Sequence, residues 1–383
     1  MEQFDVAIVG GGPAGSRCAW RLASGGARVA LLDGSHPREK PCGGGITGRA
    51  LDIVRASTDP GAFGAVRIDV ASFEHDSQRV DMPVDGANGA SDLIVAARRD
   101  FDGALLASAA AAGASLITER VTRVGTGDGA WDVSTRDQTI RARWLVGADG
   151  PNSLVRRRVS APFERADLSI ALGFFVRGVT SSRVTIAFED RPAGYLWSFP
   201  RHDHLAVGVC AQADESTPAV LAPLASGWIA RNVHDAGDME RYGWAIPSLR
   251  ARTLERERPA GPGWMLLGDA AGLVDPITRE GIFFALQSAD AAADALLAGR
   301  DAAAAYTERL RDTIYPELMR AARLKALFFR PKFTRLLLRA LANSAAIRQI
   351  MIDLIAGRQT YRGLRRRLLA TGELKLMVAL LRP

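Results

Sequence analysis

The sequence predicts an α/β fold, α+β overall, in which one domain is assembled from discontinuous segments. Three observations predict it. A short β-branched strand at residues 4–9 runs directly into a glycine-rich turn. Alternating apolar and polar residues between 169 and 211 predict an antiparallel sheet that interrupts the first domain. Apolar residues spaced three and four apart from residue 283 onward predict a C-terminal helical region.

The glycine-rich turn is a G-x-G-x-x-G sequence between a strand and a helix. Its first glycine permits a tight turn, its second lets the backbone approach a pyrophosphate, and its third lets helix and strand pack closely. The helix N-terminus presents unpaired N–H groups to a phosphate, and Asp33, at the end of the next strand, is placed to accept hydrogen bonds from a ribose. The pattern predicts a Rossmann-type dinucleotide-binding domain. Its candidate cofactor-binding residues are Gly10, Gly12, Pro13, Ala14, Gly15 and Asp33.

Composition sets the broad class of protein. The 383 residues are enough for about two domains, and 48% apolar with 24% charged residues is typical of a globular protein. The acidic N-terminus enters a strand at once, which is unlike a secretory signal, and we expect no transmembrane helix. Three cysteines are too few for a disulfide framework or a zinc site. We therefore expect a cytoplasmic protein without a metal site.

The positive charge is concentrated at the C-terminus. Residues 320–383 hold 15 Lys or Arg against two acids, a net of +13, so the rest of the chain carries 7 − 13 = −6. Apolar and cationic residues mix between 327 and 339, as in a helix that lies on a membrane surface. The alternative is solvated helix faces packed on the body of the protein. No nucleic-acid recognition motif accompanies the charge, so we expect no nucleic-acid partner.

The order of the predicted elements gives the domain organisation. Strand-like segments lie at 72–74, 79–82, 121–124, 131–134 and 144–147, with helices at 217–235 and 283–330. We predict a nucleotide-binding domain, a substrate domain with an antiparallel sheet, and a basic C-terminal helical region. The nucleotide-binding domain comprises residues 1–70, 91–165 and 260–310. The substrate domain comprises 71–90 and 166–259, and the basic helical region comprises 311–383.

Two further motifs indicate which dinucleotide is bound. The segment 147–156, Gly-Ala-Asp-Gly-Pro-Asn-Ser-Leu-Val-Arg, and Gly268-Asp269 followed by Gly281-Ile282 resemble the paired signatures of FAD enzymes with the p-hydroxybenzoate-hydroxylase fold. The resemblance implies bound FAD. It also implies that Asp269 contacts the ribityl chain and that the helix start at Gly281 and Ile282 directs amides at the flavin. The remaining cofactor contacts assigned on this basis are Arg98 and Val121.

Two rarer segments suggest the substrate. Lys-Pro-Cys-Gly-Gly-Gly at 40–45 and Pro-x-x-Tyr-x-Trp-x-Phe-Pro at 192–200 resemble the geranylgeranyl reductase family, over residues 1 to about 330. The resemblance implies reduction of C=C bonds in an isoprenoid lipid chain. The sequence departs from the family pattern at Arg201, where Lys is usual, at Asp275, where Asn is usual, and at Arg279, where Gly is frequent.

The same resemblance supplies the candidate catalytic residues. Cys42 lies in a glycine-rich loop that relatives place at the isoalloxazine, with Gly43 and Gly45 as cofactor contacts; the alternative is a small residue that fills a tight space. Tyr195 and Trp197 share one strand face. They form either an aromatic wall over the flavin or part of the core of the second domain.

The predicted reaction delivers hydride from flavin N5 to an alkene together with a proton. Cys42, Tyr195 or an ordered water could supply that proton, and NAD(P)H or a reduced electron carrier would supply the electrons. Three alternatives stay open: an aromatic hydroxylase of the same fold, a flavin-dependent halogenase, and a non-enzymatic flavin or lipid carrier. The halogenase motif Trp-x-Trp-x-Ile-Pro differs from segment 195–200 at two positions. The sequence does not indicate an oligomeric state.

Overall fold

The computed structural model describes residues 2–84 and 93–372. The ends of the predicted segment 71–90 and of the basic tail lie outside the described residues. The strands are β1 Gln3–Val9, β2 Val29–Leu32, β3 Gly45–Thr47, β4 Val66–Arg67, β5 Val70–His75, β6 Gln78–Pro83, β7 Leu93–Val95, β8 Ser115–Ile117, β9 Arg123–Gly127, β10 Ala130–Ser134, β11 Thr139–Gly147, β12 Leu168–Arg177, β13 Arg183–Asp190, β14 Ala193–Pro200, β15 His204–Gln212, β16 Met239–Pro247, β17 Ala260–Gly261 and β18 Trp264–Leu266.

The helices are α1 Pro13–Ser24, α2 Gly48–Val54, α3 Arg98–Ala111, α4 Leu154–Val159, α5 Pro218–Asn232, α6 Ala251–Leu254, α7 Ile282–Ala298, α8 Ala302–Thr313, α9 Tyr315–Phe328, α10 Pro331–Asn343, α11 Ala345–Ile355 and α12 Leu364–Leu369.

The first sheet is mainly parallel and has the order β17-β18-β11-β1-β2-β8, with the β9–β10 hairpin on β11. β1 pairs in parallel with β2 and β11, and β11 pairs in parallel with β18. Their carboxyl ends therefore meet at one edge, where ligands bind in open α/β sheets. The loops after β1, β2, β11 and β18 start from this edge. The predicted Rossmann-type fold built from discontinuous segments is confirmed.

The second sheet has the order β16-β12-β15-β14-β13-β5-β6 and is antiparallel apart from the β5–β13 pair. One face packs on α5 through residues such as Leu221 and Ile229. The other packs on α10 and α11 through residues such as Phe333 and Ile350. Every residue of β15 is buried, so the strand lacks the one-sided alternation of a half-exposed strand.

The described part of the basic C-terminal region, residues 311–372, contains the helices α9 to α12. In α10 the apolar residues Phe333, Leu337 and Leu338 are buried against the second sheet, while Arg335 and Arg339 face solvent. The apolar side of α10 thus packs on the body of the protein. Among the described helices, none is both long and apolar enough to cross a membrane. The domain boundaries and membrane contact through the exposed cations stay predictions.

Candidate active site

A cavity of about 850 Å³ lies where the edge of the first sheet meets the second sheet and the C-terminal helices. All but one of the predicted site residues line it. The exception is Gly15, which faces the turn: a Cβ there would lie 1.8 Å from the carbonyl oxygen of Gly10. The predicted residues that line the cavity are Gly10, Gly12, Pro13, Ala14, Asp33, Cys42, Gly43, Gly45, Arg98, Val121, Tyr195, Trp197, Asp269, Gly281 and Ile282.

The glycine turn forms one wall, which together with Asp33, Asp269 and Gly281 we call the glycine region. Gly10 has φ +108°, and a Cβ there would lie 2.4 Å from the carbonyl oxygen of Ala148. Gly12 is the N-cap of α1 and has no side chain to cap it, so the first-turn N–H groups are without an intrahelical acceptor. This wall therefore offers backbone donors and a helix N-terminus to an anion.

Asp33 begins a chain of charged groups along the cavity, which is partly buried at Asp33 and His36 and fully buried at Asp102. Its Oδ2 accepts hydrogen bonds from the Gly11 N–H at 2.6 Å and from His36 Nδ1 at 2.7 Å. His36 Nε2 lies 3.4 Å from Asp102 Oδ2, and Asp102 forms a two-point ion pair with Arg98 at 2.8 and 2.9 Å. Burial alone would lower the pKa of His36, but the two carboxylates raise it overall. Charge at Asp33 is thereby linked to charge at Arg98.

The loop that carries Cys42 is held by an arginine from the second sheet. Arg201 is fully buried, and its guanidinium donates to the carbonyl oxygens of Gly43 at 2.6 Å and Cys42 at 3.0 Å. Gly44 has φ +69°, and a Cβ there would lie 2.4 Å from the Arg201 guanidinium. The Cys42 Sγ accepts the Gly44 N–H at 3.3 Å. The loop is therefore fixed between the two sheets with its thiol at the cavity.

A second helix N-terminus opens onto the cavity at α7. Gly281 is its N-cap, and a Cβ there would lie 3.2 Å from Asp269 Oδ1. Lys40 pairs with Asp269 at 3.1 Å. Glu280 accepts from the Thr47 hydroxyl at 3.0 Å and pairs with Arg49. These contacts hold the amides at the start of α7 in place.

Tyr195 and Trp197 lie side by side, with ring centroids 6.2 Å apart, and both line the cavity while belonging to the buried core of the second sheet. The two interpretations of this pair are therefore compatible. The Tyr195 hydroxyl donates to the carbonyl oxygen of Thr278 at 2.7 Å. Burial raises the pKa of Tyr195 well above its usual value.

Beyond this pair the cavity wall is mainly apolar. Its apolar side chains come from strands β5 and β13 of the second sheet and from helices α9 to α12. We call this part the apolar region and define it by Phe188, Phe333, Leu337, Ile350, Leu354 and Leu368. The sequence indicated helices here but not that they enclose a cavity.

The residues present fit FAD. Two helix N-termini, at Gly12 and Gly281, open onto one cavity, one suited to a diphosphate and the other to the electron-rich edge of a reduced flavin. Asp33 and Asp269 also line the cavity, and their carboxylates would be the acceptors for ribose and ribityl hydroxyls. In the described part of the chain, no group of three or more His, Cys, Asp or Glu is arranged to hold a metal ion.

Sequence reasoning missed three polar residues of this site. Arg201 was noted only as a departure from a family pattern, although a charge at the end of an apolar strand was a usable signal. His36 follows Asp33 in a loop, and nothing in its sequence context indicates that it bridges two acids. Arg49 lies on α2 and pairs with Glu280 across 231 residues of sequence, which no local pattern reveals.

Comparison with known proteins agrees with this geometry. Residues 3–307 match the FAD binding domain family. The chain is 30% identical over 311 residues to geranylgeranyl diphosphate reductase of Rhodobacter capsulatus, covering 77% of this chain and 75% of that protein. It is 27% identical over 376 residues to menaquinone reductase of Mycolicibacterium smegmatis, covering 91% and 90% respectively.

Solved structures show the same fold. A geranylgeranyl bacteriochlorophyll reductase-like protein from Thermoplasma acidophilum superposes with a TM-score of 0.81 at 22% identity, covering 97% of this chain and all of that one. The flavin-dependent brominase Bmp2 gives 0.72 at 21% identity, covering 96% and 98%. These two likenesses concern the fold alone. The family match and the 30% identical relative show that the chain belongs to the geranylgeranyl reductase family of FAD-dependent oxidoreductases.

Proposed function

We propose that this enzyme reduces carbon–carbon double bonds in the isoprenoid chain of a lipid. The observation that carries the proposal is that one cavity has both a glycine region that fits FAD and an apolar region deep enough to involve helices α10 to α12. Burying an apolar chain there gains about 25 cal/mol per Å². Bound FAD supplies the hydride when it is reduced. The protein binds the chain, orients it and excludes water.

The aromatic pair has a binding role in this proposal. The Tyr195 hydroxyl is committed as a donor to Thr278, and its raised pKa favours the protonated phenol. Tyr195 is therefore better suited to form a wall than to give up a proton. The face of Trp197 can stabilise positive charge that develops on the alkene carbon.

Of the three proton sources named from the sequence, Cys42 and an ordered water are left once Tyr195 is assigned to the wall. Arg201 fixes the carbonyls of Cys42 and Gly43, so the thiol is held at one position on the cavity wall. The alkene gains a hydride on one carbon and a proton on the other, and the protein group that gives the proton recovers one from solvent. This assigns Cys42 either direct proton transfer or the placement of the water that performs it.

The electron donor and the partners follow from the same proposal. NAD(P)H or a reduced electron carrier would reduce the flavin, and the substrate would be a lipid with an apolar isoprenoid chain. Relatives are named for geranylgeranyl diphosphate and menaquinone, which share such a chain and differ in the head group. Exposed cations such as Arg335 and Arg339 would favour an anionic membrane surface near the substrate.

An anaerobic experiment tests the proposal. The flavin is reduced chemically, a geranylgeranyl or menaquinone lipid is added, and re-oxidation is followed together with the mass of the product. We expect re-oxidation without oxygen and a product that has gained two hydrogen atoms. Re-oxidation only by O₂ with an oxygenated product would indicate the hydroxylase, a halogenated product with halide present would indicate the halogenase, and binding without any re-oxidation would indicate a carrier.

A further inference from the structure

Arg279 has an unusual backbone conformation for its residue type. It lies in the loop before α7, lines the cavity and has φ +60°. This left-handed region favours glycine, and a long side chain there is strained. This position therefore brings a guanidinium to the cavity, which a glycine would not supply.

This guanidinium has no hydrogen-bond or ion-pair partner among residues 2–84 and 93–372. Its Nε and Nη1 are buried without a hydrogen-bond acceptor, and the contact recorded for its charge is the ring of Phe329, 5.7 Å from Cζ. The acids nearest in sequence are engaged elsewhere. Glu280 pairs with Arg49, and Asp275 accepts the N–H groups of Ile277 and Thr278.

The surroundings of Arg279 are aromatic and contain a second basic group. Phe329 stacks on Tyr195, with centroids 6.4 Å apart and planes inclined by 10°. The amine of Lys325, on α9, is held by the neutral groups of Gln212 and Ser248. Burial, together with the charge of Arg279, lowers the pKa of Lys325 to about 7. An unpaired cation in such a setting is costly unless a ligand brings the opposite charge.

We propose that Arg279 binds a phosphate or diphosphate group of the lipid substrate and so selects substrates with an anionic head. This rests on the proposed function, because it assumes that the apolar chain of the same lipid occupies the apolar region. A guanidinium matches phosphate oxygens with its planar fork of donors. Aromatic neighbours strengthen the pair by keeping water away. Arg279 is thus a determinant of head-group specificity in this chain.

Geranylgeranyl diphosphate and geranylgeraniol test the proposal, since they share one chain and differ in charge. We expect wild-type kcat/KM to be roughly 10- to 100-fold higher for the diphosphate, the range for a hydrogen bond to a charged group. Arg279→Gln should bring the ratio close to one, mainly through KM of the diphosphate, and Arg279→Lys should restore part of it. Arg309→Gln, on the exposed face of α8, is the matched control and should leave the ratio unchanged.

Folding is checked separately by flavin content and by Arg279→Gly, which suits the left-handed backbone and removes only the side chain. A wild type that prefers the alcohol or a neutral quinone, or an Arg279→Gln variant that keeps the wild-type ratio, overturns the proposal. If neither probe is reduced, the proposed function fails instead. The subsite is then judged by tryptophan fluorescence titration of the oxidised protein: tighter diphosphate binding that Arg279→Gln abolishes supports it, and equal binding of both probes overturns it.

Discussion

The glycine region and the apolar region of the cavity are built in different ways. The glycine region comes from turns that follow parallel strands, and its shape depends on backbone that side chains would obstruct, as at Gly10 and Gly15. The apolar region comes from side chains of the second sheet and of several helices that follow residue 320. We infer that a substitution in the glycine region should either preserve or abolish the function of that region. The effect of a substitution in the apolar region should instead scale with the change in side-chain volume.

Polar contacts from the second sheet join the two regions. Arg201, just after β14, holds the carbonyls of Cys42 and Gly43, and Tyr195, on β14, donates to the carbonyl of Thr278. Both contacts bind backbone of the cofactor-side loops to the strand that carries the aromatic pair. The glycine region and the apolar region are therefore structurally separate at the far walls of the cavity and connected at β14.

Gly15→Ala should have the largest effect. Its Cβ would lie 1.8 Å from the Gly10 carbonyl oxygen, and neither the turn nor the helix can move without losing the wall around the cofactor. We expect flavin affinity to fall by roughly 100-fold or more and stability by about 3 kcal/mol. Flavin absorbance per protein and thermal unfolding measure this. Gly26→Ala, at φ +86° with no atom within 4 Å, is the control for backbone strain and should keep its flavin.

The same contrast explains what the sequence could and could not predict. Gly10, Gly12 and Asp33 were identifiable because a pyrophosphate turn imposes local backbone requirements on consecutive residues. The strands of the second sheet were visible as alternation. However, β15 is buried on both faces, because α5 packs on one face and the other belongs to the core that contains Tyr195 and Trp197, and sequence periodicity does not predict which elements cover a sheet. Arg201 depends on where β14 ends relative to the Cys42 loop, 159 residues earlier.

Ile350→Trp should have a smaller and selective effect. Ile350 is buried on α11 and lines the apolar region, so the added volume narrows the space for a chain without touching the glycine region. We expect normal flavin content and roughly a 10-fold loss of kcat/KM for a geranylgeranyl substrate, the equivalent of about 1.4 kcal/mol. A geranyl substrate should lose less.

Ala346→Trp adds the same side chain to the exposed face of α11 and should behave as wild type. Equal losses for geranylgeranyl and geranyl substrates in Ile350→Trp would contradict the idea that the chain lies along this helix. Loss of flavin in that variant would contradict the separation of the two regions.

His36 should give the smallest effect, a pH dependence confined to the glycine region. The pKa of His36 is raised by Asp102 and Asp33, and both carboxyls have lowered pKa values and stay ionised at neutral pH. Arg98 and Arg38 are the cations that face the same pair of acids. Because the folded-state pKa exceeds the unfolded value of about 6.5, the stabilisation is complete below that pH and is lost as pH rises through the raised value.

We expect flavin affinity and unfolding free energy to fall together by about 1 kcal/mol across that window in the wild type, the usual contribution of one hydrogen bond. At low pH, His36→Gln should bind flavin more weakly than the wild type and have a smaller unfolding free energy. Both quantities should change little across the same pH window, because a neutral amide keeps a donor for Asp33 but does not titrate. Isothermal titration with FAD at a series of pH values measures it, and kcat/KM ratios between long and short substrates should stay constant. A pH-dependent change in those ratios would mean that the charge chain from Asp33 to Arg98 also shapes the apolar region, and the two parts of the cavity would then be coupled beyond β14.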